Sequence, residues 1–319
     1  MVLIFSNKGD ISTSYVIRWL NYWGCEWKRV NEANTFFSLI ETDDIEIDNI
    51  KLLNIYSIWY RRNIFKDERF RLNHLLYDIN QQDRRKLINH IIDEQKILLS
   101  FLTKKYLSKM KSINTADNVN ISKLVQLKAA KKTGINKPES YIVSSKKELY
   151  YLILKHKKLA TKPLSEALFL NGNVDSSDFG TYTQQISLSN YDSFPENFYP
   201  IFIQNYIEKL IEVRSFYLSG NFYSMAMFTQ NDNQTAIDFR RYNFDKPTRT
   251  VPFKLPDNIE QKLHELMCKL NLNCGSLDIL VDKSYNFYFL EVNPVGQFGM
   301  VSIPCNYYLE KIIANALKP

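Results

Sequence analysis

Residues 286–299 read NFYFLEVNPVGQFG. The run opens as a strand, Phe287 to Val292, rich in the aromatic and branched side chains that suit a pleated, buried surface. Glu291 and Asn293 lie two apart, so on a strand they point to the same face, and Pro294 and Gly296 then turn the chain. A carboxylate in so apolar a strand needs a partner, because an unpaired buried charge is costly.

The residues upstream supply a second carboxylate. A strand over 276–281 and another over 286–293 flank DKSY, which reads as a hairpin. With the turn centred between Ser284 and Tyr285, Asp278 falls opposite Glu291. Two like charges that close raise one pKa unless a cation lies between them. Oxygen donors from Asp278, Glu291 and Asn293 suit Mg²⁺, which takes its remaining ligands from water and nucleotide phosphates. The same residues also fit a plain salt bridge from Glu291 to Arg214 or Arg240, and the pattern alone leaves both open.

Composition sets the wider frame. At 319 residues, 45% hydrophobic and 24% charged, the chain can bury a large core and divide into two or three subdomains. No apolar run approaches the roughly 20 residues that span a bilayer, and MVLIF is too short for a signal-peptide core. The net charge of +7 suits an anionic partner: a nucleotide, an acidic peptide or nucleic acid. Spread evenly, the same charge is only a solvated surface. The four Cys and four His show no CxxC or HExxH spacing, which points to reduced thiols, a cytoplasmic protein and no zinc site.

Along the chain, Val2–Phe5 reads as a strand, Asp10 to Ser12 caps a helix with Val16, Ile17, Leu20 and Trp23 on its apolar face, and Trp27–Val30 completes a β-α-β start. A strand near 54–59 runs into WYRRN (59–63), and a helical pattern covers about 69–106. The polar stretch SINTADNVNIS (112–122) suits a linker. A helix over 122–132 ends at Gly134, and a strand at 140–143, a helix at 145–155 and the strand LATKPL follow. Residues 165–200 are polar and read as irregular, and NYDSFPENFYP (190–200) as a surface loop. From Ile201 the pattern is strand-rich, with one helix over 257–270. Lys162 ends a predicted strand, Arg214 shares a strand face with Glu212, and Arg240 and Arg241 follow Asp238 in IDFRR. Arginines converging on carboxylates and a metal suit phosphate binding, although singly each is more often a surface ion pair.

In this order, SKLVQLKAAKKTGINKPESYIV, TKP, IQNYIEKLIEVRSF and SLDILV with FLEVNPVGQFG resemble an ATP-grasp ligase over about residues 120–299. WYRRN and IDFRR resemble graspetide synthetases, ATP-grasp peptide maturases of the grasp-with-spasm type. The resemblance implies an α/β (α+β) ATP-grasp fold: an N-terminal β-α-β domain over 1–116, a lid subdomain over 117–200 and a metal-binding subdomain over 201–319, the last two clasping ATP. It implies that Lys123 and Lys162 hold the ATP phosphates, that Gln204, Tyr206 and Ile207 meet adenine, and that Glu212 binds the ribose. Asp278, Glu291 and Asn293 would hold Mg²⁺, and Arg214, Arg240 and Arg241 would steady the transferred phosphate and the substrate carboxylate.

The implied reaction turns Asp or Glu side chains of a ribosomally made precursor peptide, with a leader and an acidic core, into acyl phosphates. Ser, Thr or Lys side chains then close ω-ester or ω-amide rings. One departure from the family pattern is the interval after Lys162, which has a single glycine, Gly172, where many relatives carry a glycine-rich phosphate loop. The family also makes a homodimer plausible, with neither nucleic acid nor membrane as partner. A carboxylate–amine ligase of the same superfamily, adding an amino acid to a protein tail or small acid, shares the chemistry and differs in acceptor. A nucleic-acid-binding protein would need clustered basic residues with exposed aromatics. It would leave Asp278, Glu291 and Asn293 unexplained.

Overall fold

The computed structural model describes residues 1–31, 37–40, 44–47, 50–51, 54–62, 80–105, 109–119, 121–164, 169–170, 179–180, 183–231, 245 and 247–319. They fall into two compact units. The first comprises Met1–Asn120, Asn271–Gly275 and Asn293–Pro319, and the second Ile121–Leu270 and Ser276–Val292.

In the first unit, β1 (Val2–Phe5) is four buried residues in a row, the pattern of a strand covered on both faces. Asp10 caps α1 (Ile11–Tyr22) as expected, its Oδ1 accepting from the Thr13 N–H, and Val16, Ile17 and Leu20 are buried. The helix carries the chain to β2 (Trp27–Val30), which pairs with β1 in parallel. A separate antiparallel sheet is formed by β3 (Phe37–Ile40), β4 (Asp44–Ile47) and β5 (Ile50–Lys51). The buried β6 (Ser57–Tyr60) joins the other edge of β1, α2 (Gln81–Lys105) follows, and β7 (Lys111–Ile113) adds to β6, so the main sheet is parallel throughout.

The stretch 112–122 is not the linker expected of it. Val119 belongs to the core with Leu3, Phe5, Val30 and Ile58. Buried Asn114, at φ +56°, donates through Nδ2 to the carbonyls of Cys274 (2.9 Å) and Pro294 (2.8 Å). Its Oδ1 accepts from the N–H groups of Asn273 and Cys274. Asn tolerates the left-handed region, and its amide both donates and accepts, so a residue that reads as a loop former clips three segments of the unit together.

Among its described residues the second unit contains two larger sheets and one short two-stranded pair. Ser122 caps α3 (Lys123–Thr133), which ends at Gly134 with φ +68°, a left-handed C-cap that glycine adopts without steric cost. Next come β8 (Ser140–Ser145), α4 (Lys146–His156), β9 (Leu159–Thr161) and the short pair β10 (Phe169–Leu170) and β11 (Phe179–Gly180). The strands β12 (Gln184–Ile186) and β13 (Asn197–Asn205) complete an antiparallel sheet of order β12-β9-β13-β8. Its core, with Leu149, Leu152 and Ile153 of α4, also takes in Tyr191, Phe194 and Phe198. The stretch 190–200 is therefore anchored rather than a plain surface loop, and the described part of 165–200 carries strands where an irregular chain was expected. Aromatics among its polar residues supply the missing core contacts.

The second sheet has the order β16-β15-β14-β17-β18. It is built from β14 (Lys209–Leu218), β15 (Asn221–Met227), β16 (Thr250–Phe253), β17 (Cys274–Asp282) and β18 (Phe287–Asn293), with α5 (Asp257–Lys269) packed against α3. Ser219 and Gly220 both have positive φ in the two-residue turn that joins β14 to β15, the arrangement that matches strand twist. The chain then returns to the first unit, where α6 (Gly299–Cys305) leads to α7 (Leu309–Leu317), which packs on α1, β6 and β7. Among the described residues no helix is long and apolar enough to cross a membrane, and all four cysteines are free.

Candidate functional site

The second sheet of the second unit brings the predicted carboxylates and cations together. β17 ends at Asp282 and β18 begins at Phe287, and the hairpin closes with the Asp282 N–H donating to the Asn286 carbonyl and the Tyr285 N–H to the Asp282 carbonyl, which centres the turn on Ser284 rather than between Ser284 and Tyr285. The Asp282 carboxylate holds that turn by accepting from the N–H groups of Ser284 and Asn286. Arg214, buried on the neighbouring β14, donates from Nη1 to both Asp278 oxygens, at 2.8 and 3.1 Å. Two residues earlier on that face, buried Glu212 pairs with Lys209 and accepts from the Thr229 hydroxyl at 3.0 Å.

Asp278 carries the electrostatic signature of the cluster. Its side chain is 17% exposed. Burial pushes its pKa up first, Arg214 pulls it back, Glu291 and Glu212 push it up again and Lys162 pulls it back, which leaves it at about 6. Four of the predicted site residues therefore act on a fifth, Asp278: Arg214, Glu291, Glu212 and Lys162. A sixth, Lys123, opens α3 and places its Nζ 3.1 Å from the Glu291 carboxylate and 2.7 Å from the Pro163 carbonyl, beside Lys162. Glu291 pairs with Lys123, a cation the strand pattern did not offer it, and Arg214 pairs with Asp278. Both pairings bring opposite charges together, as a bridge from Glu291 to Arg214 would, and a strand pattern cannot choose among them.

The remaining predicted residues are placed as follows. Gln204 sits on the central strand β13, paired with Ser140 and Ala160, and its buried amide donates to the Ser140 hydroxyl at 3.0 Å. Half-buried Tyr206 and Ile207 lie in the short connection from β13 to β14, where the Tyr206 N–H donates to the Lys158 carbonyl and burial raises the phenol pKa. Asn293, the last residue of β18, accepts from the Val295 N–H through Oδ1 and so holds the turn through Gly296, whose φ is +63°. Asp238, Arg240 and Arg241 lie outside the described residues.

Three residues that the sequence did not single out shape the cluster. Buried Gln126 grips the backbone of Val292, Nε2 donating to its carbonyl at 2.9 Å and Oε1 accepting from its N–H at 2.8 Å. That grip, together with the Asn136 carbonyl accepting from the Phe289 N–H, pairs the outer edge of β18 and ties α3, which carries Lys123, to the strand that carries Glu291. Lys209 and Thr229 both address Oε1 of Glu212. Gln126 falls one turn after Lys123, but a glutamine in a lysine-rich helix gives no signal that it is buried.

The donor set suits a hard cation. Among the described residues no three of His, Cys, Asp and Glu converge on a point. Two carboxylates alone fit Mg²⁺, which is held by one or two carboxylates plus substrate phosphates, better than an all-protein cage. Among the described residues the aromatics divide between core and surface: Trp59, Phe216, Phe289 and Phe298 are fully buried, whereas Tyr22, Tyr151, Tyr199 and Tyr285 are exposed.

Among solved structures, the chain is similar to macrocyclase MdnC bound with precursor peptide MdnA from Microcystis aeruginosa MRC, with TM-score 0.77, 22% identity and 99% of each chain covered. It is similar to a Chryseobacterium gregarium RiPP-associated ATP-grasp ligase in complex with ADP and a leader and core peptide, with TM-score 0.77, 21% identity, and 99% of this chain and 94% of that one covered. It is also similar to ATP-grasp ligase PsnB complexed with minimal precursor, Mg and ADP, with TM-score 0.77, 14% identity, and 99% and 96% covered. No protein-family model and no curated protein matches it. The fold is ATP-grasp along essentially the whole chain.

Proposed function

We propose that this chain is an ATP-dependent peptide maturase. It would activate Asp or Glu side chains of a ribosomally made precursor peptide as acyl phosphates and close ω-ester or ω-amide rings. The observation that carries the reading is the buried cluster in which Arg214 meets Asp278 and Lys123 meets Glu291, with Glu212 and Lys162 in electrostatic reach. The similar proteins bound to precursor peptides or nucleotide support it.

In this reading the nucleotide lies between the two sheets of the second unit. The connection through Gln204, Tyr206 and Ile207 offers backbone groups to adenine. Glu212 takes the ribose through Oε2, since its hydrogen bonds from Lys209 and Thr229, its partners among the described residues, use Oε1. Lys123 and Lys162 bind phosphate oxygens. Asp278 and Glu291, with Asn293 assigned by its place on β18, would hold Mg²⁺, which would draw charge from the phosphates. Arg214, with Arg240 and Arg241, neutralises the meeting of two anions, the substrate carboxylate and the terminal phosphate.

The first step forms a bond from a carboxylate oxygen to the γ-phosphorus and breaks the bond to the β-phosphate oxygen, releasing ADP. In the second, a hydroxyl or amine attacks the acyl carbon, phosphate leaves with the bonding pair, and the nucleophile gives up its proton. Each ring costs one ATP and removes one water from the peptide. No protein nucleophile is required.

The test is the mass of a Thr/Ser/Lys- and Asp/Glu-rich precursor peptide after incubation with the chain, ATP and Mg²⁺, against a Glu291→Ala control. Loss of one water per ring, absent in the control, is the expected result. ADP release with an unchanged peptide mass would move the reading to a ligase with a different acceptor. No turnover with any acidic peptide would refute it.

A further inference from the structure

The first unit contains a cavity of about 300 Å³ whose lining includes Asp10, Ser12, Arg61, Arg62, Gln297 and Met300. Three guanidinium groups gather at its Asp10 wall. Arg61 and Arg62 place Nε 3.0 and 3.3 Å from the same Asp10 oxygen, and Arg29 donates to the Asp10 carbonyl at 3.2 Å. Among the described residues, Asp10 is the carboxylate these arginines share, so three cations face one anion. The other Asp10 oxygen accepts from the Thr13 N–H.

The arginines are not equivalent. Arg61 is 1% exposed, donates to the carbonyls of Val295 and Gly296, and lies against the Trp59 and Phe298 rings. It is committed to bracing. Arg62 is 29% exposed and lines the cavity, and among the described residues its ion pair runs through Nε, so its two terminal nitrogens are not spent on Asp10. A planar fork matches a carboxylate in shape as well as charge. The volume is at the low end for small-ligand sites, enough for a side chain and small for a nucleotide.

We propose that this cavity is a carboxylate-binding subsite, with Arg62 as its contact, that receives an acidic side chain of the peptide substrate. Calling the anion a peptide side chain rests on the function proposed above, whereas the surplus of positive charge in the cavity does not.

The probes are acetyl-Thr-Glu-Thr-amide and its Gln counterpart, titrated against the full chain by ligand-observed NMR without nucleotide. The wild type is expected to prefer the Glu peptide by at least about tenfold, as one charge-assisted fork implies. Arg62→Gln is expected to erase that preference, Met300→Trp to weaken both peptides by filling the cavity, and Lys123→Ala to leave the preference intact. Melting curves establish that each variant is folded. Should Arg62→Gln not fold, Met300→Trp decides alone, and undiminished binding there overturns the proposal. A preference that survives Arg62→Gln, or vanishes with Lys123→Ala, also overturns it. So does inorganic phosphate displacing the peptide at lower concentration than acetate, which would make this a phosphate site. A chain that turns over no ATP yet keeps an Arg62-dependent Glu preference retains the subsite and loses only the maturase reading.

Discussion

Replacing Asp278 with asparagine is expected to stabilise the metal-free protein. Burial, Glu291 and Glu212 together outweigh Arg214 and Lys162, and they lift the Asp278 pKa from 3.8 to about 6. A raised carboxylate pKa means that the fold favours the neutral form. The stability this group contributes is fully present below about pH 4, drains away as pH rises to about 6, and is gone above it. The gap between the two values corresponds to about 3 kcal/mol at pH 8. Asp278→Asn keeps the shape and leaves an oxygen for Arg214, while removing the charge. Its melting temperature in EDTA at pH 8 is expected to exceed that of the wild type by roughly 6–12 °C, at 2–4 °C per kcal/mol for a unit of this size. The difference should shrink toward pH 4, and maturase activity should be lost at every pH. A variant less stable than the wild type at pH 8 would mean that the ion pair to Arg214 outweighs burial and repulsion, and the reasoning would fail.

The opposite substitution in the same pair should have the opposite sign. Arg214→Ala leaves Asp278 beside two other carboxylates with its nearest cation removed, at a cost of about 3–5 kcal/mol, read as a fall in melting temperature together with lost ADP release. Gln126→Ala strips both partners from the Val292 backbone; at about 1–3 kcal/mol for each unsatisfied group it should lower stability measurably. Because Lys123 rides on the same helix, the variant should also raise the KM for ATP, and an unchanged KM would show that Gln126 does not position Lys123. Titrated calorimetrically without nucleotide, Mg²⁺ should bind far more weakly than it does in the presence of ADP, and equal affinities would contradict the charge balance set out below.

Much of the cluster was legible because strand periodicity is unambiguous. Glu212 with Arg214, and Glu291 with Asn293, share faces by alternation, and the hairpin between Asp282 and Phe287 brings Asp278 and Glu291 together. The strand VLIF and the cap at Asp10 were equally plain. What escaped were polar residues whose partners are remote in sequence. Gln126 meets Val292 across 166 positions, and Asn114 meets Cys274 across 160. A buried amide of this kind has the same local signature as an exposed one, since its role is set by the backbone it meets and not by its neighbours. The partner of Glu291 escaped for the same reason: strand pattern gives the face of a carboxylate, whereas the cation facing it arrives on a separate helix.

The charges in the cluster explain why ligand binding there would be an exchange of partners and not the filling of a vacancy. Among the described residues, Asp278, Glu291 and Glu212 are matched against Arg214, Lys123, Lys162 and Lys209, a surplus of one positive charge. A divalent cation arriving alone would raise that surplus and compete with Lys123 for Glu291 and with Arg214 for Asp278. A triphosphate arriving alone would draw the lysines away and leave the carboxylates facing one another. Arriving together, the metal takes the carboxylates while the phosphates take the lysines, so every group trades one counter-charge for another and the net charge moves only slightly across zero. The ion pairs of the free protein therefore hold the four groups in register at the cost of self-repulsion at Asp278, and that repulsion is the energy a bound metal–nucleotide complex would recover.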